Sequence, residues 1–422
     1  MTDARTAWPA PQGRLLLAGS ALVLAFSAVG FLVQTFGIFA AALEDEFDWS
    51  RTATYSVLAI ATLLTPVLIP LTGWASDRFP VRVLVLCALG AEVVCLVLLG
   101  ILPTSRIGFA VLFLATYAAS FGASVVPLAR SINLAFSHRR GAALGLLFAG
   151  ACLGAIVNPL VAAMLVSTVG WQGAFIALGL QVTVLAGIPA LLFIRTLPSR
   201  HVARRPQTEQ SASWRALFGT RAMYVVLGWA LFAAIGYGGM QGHLVPLLEE
   251  RAHRPEVAVL GQSLLGVGLL AGNIAAGILL DRIAVRVLAS LMLILPVGAL
   301  GLLLAVPPGP GDLAITTTIG IATGTETAVL AYVVSRYVPP EINGRGLATG
   351  MVAVALGGGI GTMLGAVSHD ATGSYHLFIT ASAASLVVAA IWPWALPARP
   401  LLDEPRGSSS IAGNHTSDRD IA

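Results

Sequence analysis

The sequence contains no lysine and few charged residues of any kind, although it is 422 residues long. Charged residues make up 10% of the chain and hydrophobic residues 57%. In a soluble domain, charged residues make up roughly 25% and hydrophobic residues roughly 45–50%. The mean hydropathy is +0.85. No water-soluble fold could bury that much apolar surface. The composition therefore excludes a soluble protein and indicates one that lies within a lipid bilayer.

Cysteine is also scarce, and its placement argues against cysteine chemistry. Cys87, Cys95 and Cys152 each lie inside an apolar stretch, which fits neither a disulfide framework nor a metal-ligand spacing. We therefore expect no metal and no cofactor. The 24 arginines are scattered over separate segments instead of forming one basic face, which argues against nucleic acid as a partner.

Long apolar runs dominate the rest of the chain. An apolar run of about 20 residues is long enough to span a bilayer core, and runs of that length recur between residues 15 and 396. The pattern predicts an all-α membrane protein with twelve transmembrane helices. We expect these helices at residues 15–41, 52–76, 82–103, 107–136, 140–168, 171–194, 222–248, 256–280, 284–306, 312–337, 343–368 and 374–396.

The arginines predict the orientation of the helices. With the N-terminus inside, 19 of the 24 arginines fall on the cytoplasmic side, Arg51, Arg106, Arg251 and Arg254 fall outside, and Arg130 falls within a span. This imbalance obeys the positive-inside rule for an even number of spans. We therefore expect a multi-pass protein of the inner (plasma) membrane with both termini in the cytoplasm.

An internal repeat divides the chain into two halves. One pattern of a glycine, an aspartate and two arginines follows the second expected helix, and it recurs after the eighth with a shift of 204 residues. The pattern resembles the G-x-x-x-D-R-x-x-x-R motif of the major facilitator superfamily. The eight residues are Gly73, Asp77, Arg78, Arg82, Gly277, Asp281, Arg282 and Arg286.

The resemblance implies two pseudo-symmetric six-helix bundles and a gating role for the eight motif residues. In the superfamily this loop latches the cytoplasmic side of the outward-open state. Arg130 and Arg336 occupy equivalent places near the cytoplasmic ends of the fourth and tenth helices, which favours latch partners over a central ligand site. The alternative is that the motif residues only anchor the loops. The expected segments are 1–14 (cytoplasmic), 15–195 (first bundle), 196–221 (linker), 222–397 (second bundle) and 398–422 (disordered tail).

Several short segments narrow the resemblance to bacterial monocarboxylate and oxalate/formate porters. This similarity implies a carboxylate substrate. Those porters carry a substrate-pairing arginine in the eighth helix, four residues before the second motif glycine, and here that position is Asn273. Either another group supplies the positive charge, or the substrate is not a simple acid anion. The segments are 43–51, 136–141, 170–175, 243–246, 335–337 and 370–375.

Ionisable residues at membrane depth are functional candidates, because burying them in hydrocarbon is unfavourable. Glu326 lies near the middle of the tenth expected helix, and the resemblance implies that this helix lines a central cavity. A carboxyl group there could bind and release the coupling proton. The alternative is that Glu326 is hydrogen-bonded to Thr323 or Tyr332 and only helps to pack its helix. For Glu92, a packing role is the favoured interpretation. The neutral candidates for the cavity are Gln34, Tyr117, Tyr237, Gln241 and Asn273.

Together these features predict a secondary transporter of a small organic solute, of carboxylate type, coupled to protons and working by alternating access. Its expected partners are the solute, protons and the bilayer, and we expect a monomer. No span offers paired acids or a nucleophile beside a base, so we expect no enzyme. Drug efflux stays an alternative, although the fifth-helix glycine–proline pattern typical of such antiporters is incomplete. A nutrient sensor on a transporter scaffold is the third possibility.

Overall fold

The computed structural model describes residues 11–102, 105–136, 140–194, 218–251, 253–280, 282–338 and 343–396. All regular structure in these ranges is helical. Residues 1–10 of the expected N-terminal segment, residues 196–217 of the expected linker, the whole expected tail and Asp281 lie outside the described residues.

Fourteen α-helices follow one another along the described ranges, and α7 continues through a π-helix at Val182–Gly187 into α8. Their bounds are α1 Pro11–Phe26, α2 Ala28–Phe47, α3 Arg51–Arg78, α4 Val81–Ile101, α5 Arg106–Ser120, α6 Val125–Ala135, α7 Arg140–Gln181, α8 Ile188–Phe193, α9 Arg221–Glu250, α10 Pro255–Leu279, α11 Val285–Ala305, α12 Gly311–Tyr337, α13 Asn343–Thr372 and α14 His376–Ile391.

Eleven helical segments of the described residues are long and apolar enough to cross a membrane. One of them, Gly141–Phe193, has 53 residues. A straight α-helix of that length would measure about 80 Å at 1.5 Å per residue, more than twice the hydrocarbon thickness of about 30 Å. Its helical geometry is interrupted at Gly170, where φ is 72° and ψ is 174°. A positive φ favours glycine because the residue has no Cβ.

Two of the expected spans, 15–41 and 107–136, are each interrupted by a break, although Gln12–Phe47 and Arg106–Ala135 each remain one segment that is long and apolar enough to cross a membrane. The first breaks at Ser27, which is extended with a ψ of 151°, because the next backbone N–H turns to a side chain of α4. The second breaks at Phe121–Ala123 and at Ser124, which has a ψ of −179°. Pro127 follows in the first turn of α6, where a residue without a backbone N–H is tolerated.

Two separate hydrophobic clusters form the core. The first unites buried side chains between Leu16 and Ile194 together with Ala366, and the second unites those between Ala222 and Leu396. Helices α1–α8 and α9–α14 thus each bury an apolar core of their own. We call these groups the first half and the second half. They meet where α3 packs on α13, α7 on α10, and α2 on α9.

Glycines let α10 and α12 pack backbone against backbone. A Cβ added to Gly268 or Gly272 would meet the backbone of α12, and one added to Gly320 or Gly324 would meet the backbone of α10. Both pairs have the four-residue spacing that brings small residues onto one helix face. The four glycines therefore set the close distance between these two helices.

Replacing Gly272 with alanine is expected to destabilise the second half. The new methyl group would overlap the carbonyl oxygen of Ile321, and overpacking of this kind typically costs about 1–3 kcal/mol. Gly277→Ala on the same helix is the matched control, because an added Cβ there meets no heavy atom within 4 Å. Thermal unfolding of both variants in detergent measures the difference. Equal unfolding temperatures would contradict the packing argument.

Candidate functional site

A cavity of about 360 Å³ lies between the two halves. Its wall includes side chains of α3, α5 and α7 from the first half and of α9, α10, α12 and α13 from the second. Five of the six predicted substrate or proton residues line it. These are Tyr117, Tyr237, Gln241, Asn273 and Glu326. Gln34 is half-buried and is not among the lining residues, although its neighbour Val33 is.

Glu326 is the buried acid of this cavity. It lies on α12 with 5% of its surface exposed, and its Oε1 atom has no hydrogen-bond partner among the described residues. The Tyr237 hydroxyl of α9 interacts with the carboxyl group, yet it makes no hydrogen bond of normal geometry. Thr323 does not hold Glu326, because its hydroxyl donates to the carbonyl of Ile319 at 2.9 Å. A buried acid with an unpaired oxygen is a group that can receive a donor from a ligand.

Hydroxyl and amide groups form the rest of the polar wall. The hydroxyls of Tyr117 and Thr65 lie 3.0 Å apart. The Asn273 amide nitrogen donates to the carbonyl of Leu269 at 3.0 Å and contacts the Cys152 sulfur at 3.8 Å. Thr65 and Cys152 were not predicted as cavity residues, because a threonine or a cysteine in an apolar helix does not by itself indicate a binding site.

The wall carries a single kind of charge. Among the described residues that line the cavity there is no arginine, lysine or histidine, and Glu326 is the only aspartate or glutamate. Asn273 occupies the position where the resembling porters carry an arginine, so this position supplies no positive charge to the cavity. The described wall is therefore neutral or negative, according to whether Glu326 holds a proton.

Glu92 lies away from this cavity and holds the break between α1 and α2. It is fully buried, and its carboxyl group accepts from the Ser27 hydroxyl at 3.1 Å and from the Ala28 backbone N–H. Its position therefore satisfies the start of α2, where backbone donors have no partner inside the helix. This placement agrees with the packing role that was favoured for Glu92.

At one end of the cavity the two halves are joined by polar contacts, and we call it the closed end. The Arg51 guanidinium binds Glu44 at 3.2 Å and donates to the Tyr375 hydroxyl of the second half at 3.1 Å. Asp370, at the end of α13, accepts from the Thr52 backbone N–H at 2.8 Å. A carboxylate at a helix start is favoured by the unpaired N–H groups and the helix dipole. Asp370 therefore ties the second half to the start of α3.

His243 lies directly behind these contacts and is fully buried. Its ring stacks on Tyr55 with centroids 3.7 Å apart, and the Tyr55 hydroxyl donates to the carbonyl of Gly242 at 3.0 Å. Nε2 lies 2.8 Å from the Thr362 carbonyl and Nδ1 lies 3.0 Å from the Tyr375 hydroxyl. Because a carbonyl only accepts, Nε2 carries the hydrogen and Nδ1 accepts from Tyr375. Burial raises the pKa of the Tyr375 hydroxyl, so it stays protonated and able to donate.

These closed-end residues were missed as a group in the sequence. Arg51, His243 and Asp370 lie in three different family-like segments, and nothing in the sequence predicted that they would meet. Arg51 and Tyr375 are separated by 324 positions, so no local pattern connects them.

At the opposite end, the contacts known for Asp77, Arg78, Arg82 and Arg286 lie within their own halves. Asp77 pairs with Arg130 at 3.0 Å, and both belong to the first half. The Arg78 guanidinium lies 4.7 Å from the centre of the Trp74 ring. A Cβ added to Gly73 would meet no heavy atom within 4 Å, as is also true of Gly277.

The last arginine of each motif copy binds the carboxyl end of a helix. Arg82 donates to the carbonyl of Leu191 at 3.0 Å, and Arg286 donates to the carbonyl of Leu396 at 2.7 Å. Helix ends leave carbonyl groups unpaired and carry a partial negative charge, so a guanidinium is favoured there. The sequence repeat is thus matched by a repeat of contacts. Arg282 is exposed, and the Arg336 guanidinium lies 5.6 Å from the centre of the Tyr332 ring.

Comparisons with known proteins agree with this architecture. The profile of the Major Facilitator Superfamily matches residues 22–316. Monocarboxylate transporter 11 of Homo sapiens is 27% identical over 367 residues, which cover 82% of this chain and 74% of that protein.

One similar solved structure is a bacterial homologue of the human lysosomal transporter Spinster in an inward-facing and unoccupied conformation. Its TM-score is 0.71 at 17% identity, and the match covers 91% of this chain and 95% of that one. A D-xylose–proton symporter has a TM-score of 0.68 at 18% identity, covering 90% and 97%. A nucleoside transporter has a TM-score of 0.71 at 14% identity, covering 92% and 100%. At these identities the solved structures establish the fold.

Proposed function

Since this chain belongs to the Major Facilitator Superfamily, a family of transporters, we propose that it is a secondary transporter that moves a small organic solute together with protons by alternating access. The observation that carries this proposal is the cavity between the two halves, which has Glu326 in its wall and a closed end formed by contacts from both halves. A site between two bundles that rock against each other is the arrangement alternating access requires.

The proposed topology has twelve crossings. We take Gly170 as the turn between two crossings within Gly141–Phe193, which divides the chain into six-helix bundles at 15–195 and 222–397 joined by a linker at 196–221. The equivalent contacts of Arg82 and Arg286 support the pseudo-symmetry of the bundles. With both termini in the cytoplasm, the arginine distribution places the closed end outside. In the inner membrane this state would be inward-open.

The proposed gate at the cytoplasmic end consists of the motif residues with Arg130 and Arg336. In the proposed inward-open state the halves are apart at this end, and the open space beside Gly73 and Gly277 is compatible with that state. When the closed end opens, the two motif loops would approach the other half, and glycine would permit that close approach. Asp77 and Arg130 would then exchange their present pairing for contacts between the halves.

Glu326 is the proposed proton site, with Tyr237 as its neighbour across the cavity. Tyr117, Gln241 and Asn273 are the proposed hydrogen-bonding partners of the solute, since they line the same cavity. Gln34 lies outside the lining set and would reach the cavity only after the halves move. Coupling follows because one carboxyl group, reached from one side at a time, can take up a proton on one side and release it on the other.

Within the proposed class of small organic solutes, a carboxylate is one specific candidate. The human relative at 27% identity is named a monocarboxylate transporter, which favours an acid as substrate. A carboxylate that entered together with a proton would have to be held by hydroxyl and amide donors, because the described wall has no arginine, lysine or histidine.

Proton-driven uptake by proteoliposomes tests the proposed function. The purified full chain is reconstituted, an inward proton gradient is imposed, and labelled monocarboxylates, dicarboxylates, amines and neutral metabolites are supplied in parallel. We expect at least one solute to accumulate above its equilibrium level and to be released when a protonophore collapses the gradient. Uptake that only equilibrates, with or without the gradient, would contradict proton coupling. Empty liposomes provide the baseline.

A further inference from the structure

We propose that the cavity binds a neutral solute bearing hydroxyl or amide groups, and that it selects against organic anions and organic cations. This inference rests on the proposed function, in which Glu326 carries the coupling proton. The observations behind it are the charges, the hydrogen-bonding groups and the unpaired buried atoms of the cavity wall.

The wall offers many neutral hydrogen-bonding groups around one acid. Besides Glu326 it presents two tyrosines, two amides and several threonines. Hydroxyls both donate and accept, and amides do the same through separate atoms. Such a set matches the alternating donors and acceptors of a polyhydroxy or amide-bearing molecule. The polar residues are Thr62, Thr65, Tyr117, Tyr237, Gln241, Asn273, Thr323, Thr327 and Thr362.

Two buried polar atoms in this wall make no hydrogen bond of normal geometry with the described residues. They are the Oε1 atom of Glu326 and the hydroxyl oxygen of Tyr237. Buried polar atoms are normally paired, and one left unpaired in a cavity is satisfied by a ligand or by water. A hydroxyl of the solute that reached this pair would donate to the unpaired carboxyl oxygen of Glu326.

An organic anion has no counter-charge in the described wall. If Glu326 is ionised, the two negative charges repel each other at short range in a medium less polarisable than water. If Glu326 is protonated, the anion is still buried without a cation, which is unfavourable. The Asn273 amide is also poorly placed to help, because its nitrogen already contacts Leu269 and Cys152.

An organic cation fails for a different reason. It would pair well with ionised Glu326, but the same carboxyl group could not then hold the coupling proton. With Glu326 protonated, a cation would leave the loaded cavity with an unpaired positive charge. A neutral solute together with a protonated Glu326 is the combination that leaves the described cavity neutral, and burial of net charge is then avoided.

Solutes of similar size that differ in charge test this inference. The first set is lactate, lactamide and 1-amino-2-propanol, and the second is gluconate, glucose and glucosamine at a pH that keeps the amine protonated. Binding to the purified full chain in detergent is measured by isothermal titration calorimetry. We expect the neutral member of at least one set to bind about tenfold or more tightly than both charged members.

Variants of Glu326 separate a neutral site from a cation site. Glu326→Gln resembles the protonated acid in shape and hydrogen bonding, so it should keep the affinity for the neutral solute within about threefold. Glu326→Ala should lower that affinity about tenfold. Glu92→Gln, which changes a buried acid outside the cavity, should leave it unchanged.

The inference is overturned if a carboxylate or an amine is the tightest member of both sets, if no neutral member binds, or if Glu326→Gln abolishes neutral binding. Its failure can be told apart from failure of the proposed function. Proton-driven accumulation of lactate or gluconate would overturn the neutral site and leave proton-coupled transport standing. A bound neutral solute that never accumulates under a proton gradient would leave the site standing and contradict the coupling.

Discussion

Replacing Glu326 with glutamine is expected to abolish proton-driven accumulation while leaving exchange of bound solute intact. Glutamine fills the same space on α12 and can still face Tyr237, but it cannot bind or release a proton. An inward gradient of one pH unit supports at most about tenfold accumulation when one proton accompanies each solute. In the variant this ratio should fall to one, while labelled solute still exchanges with unlabelled solute across the membrane.

Glu92→Gln provides the control for a buried acid of the same kind. Its amide can still accept from the Ala28 N–H at the start of α2, so the break between α1 and α2 should persist and accumulation should stay close to normal. Both variants are measured in the same proteoliposomes, with counterflow as the exchange assay. Normal accumulation by Glu326→Gln would remove Glu326 from coupling. Loss of both accumulation and counterflow would point to a structural role for it.

Replacing Asp370 with alanine is expected to open the closed end. Asp370 accepts from the Thr52 backbone at 2.8 Å and belongs to the opposite half, so its contact stabilises only the state in which that end is shut. Hydrogen bonds to charged groups contribute about 1.5–3 kcal/mol, which corresponds to a shift of about tenfold or more in the ratio of the two states. In the variant the second half would lose its hydrogen bond to the start of α3.

Labelling of Cys152 measures this shift, because Cys152 lines the cavity. Cys87 and Cys95 are replaced by serine so that one thiol remains. A membrane-impermeant thiol reagent added outside cells should label the Asp370→Ala protein about tenfold faster than the parent. Asp45→Ala, at an exposed acid of the same end, should not change the rate. Equal rates for Asp370→Ala and its parent would mean that the contact does not hold the end shut.

Much of the candidate site could be expected from single residues, because a polar residue at membrane depth stands out in an apolar sequence. Asn273 was selected through the family resemblance, whereas Glu326 and Tyr237 were selected on that ground, and all three line the cavity. Gln34 was selected in the same way but lies outside the lining set. The sequence predicts how far along the helix Gln34 lies. It does not predict which side of α2 carries Gln34, because that depends on how α2 turns after the break at Ser27.

The helix breaks show where local patterns fail. Hydropathy predicted one helix at 15–41, since every residue through the break is apolar or small. The break depends on the side chain of Glu92, which is 64 positions away from Ala28 and reaches its N–H only after the chain has folded. Pro127 follows the second break, but prolines also lie inside the continuous helix α3, so a proline alone did not predict a break.

By itself the sequence determined that the chain lies in a membrane, where its helices run, and that it repeats one pattern in two halves. These properties follow from composition and spacing, because backbone groups in a bilayer must be paired within the protein, and a helix pairs most of its own. Only the tertiary structure decided which polar residues share a cavity and which end is shut. Those contacts join Arg51 to Tyr375 and Tyr237 to Glu326, residues of different helices whose meeting depends on how the helices pack.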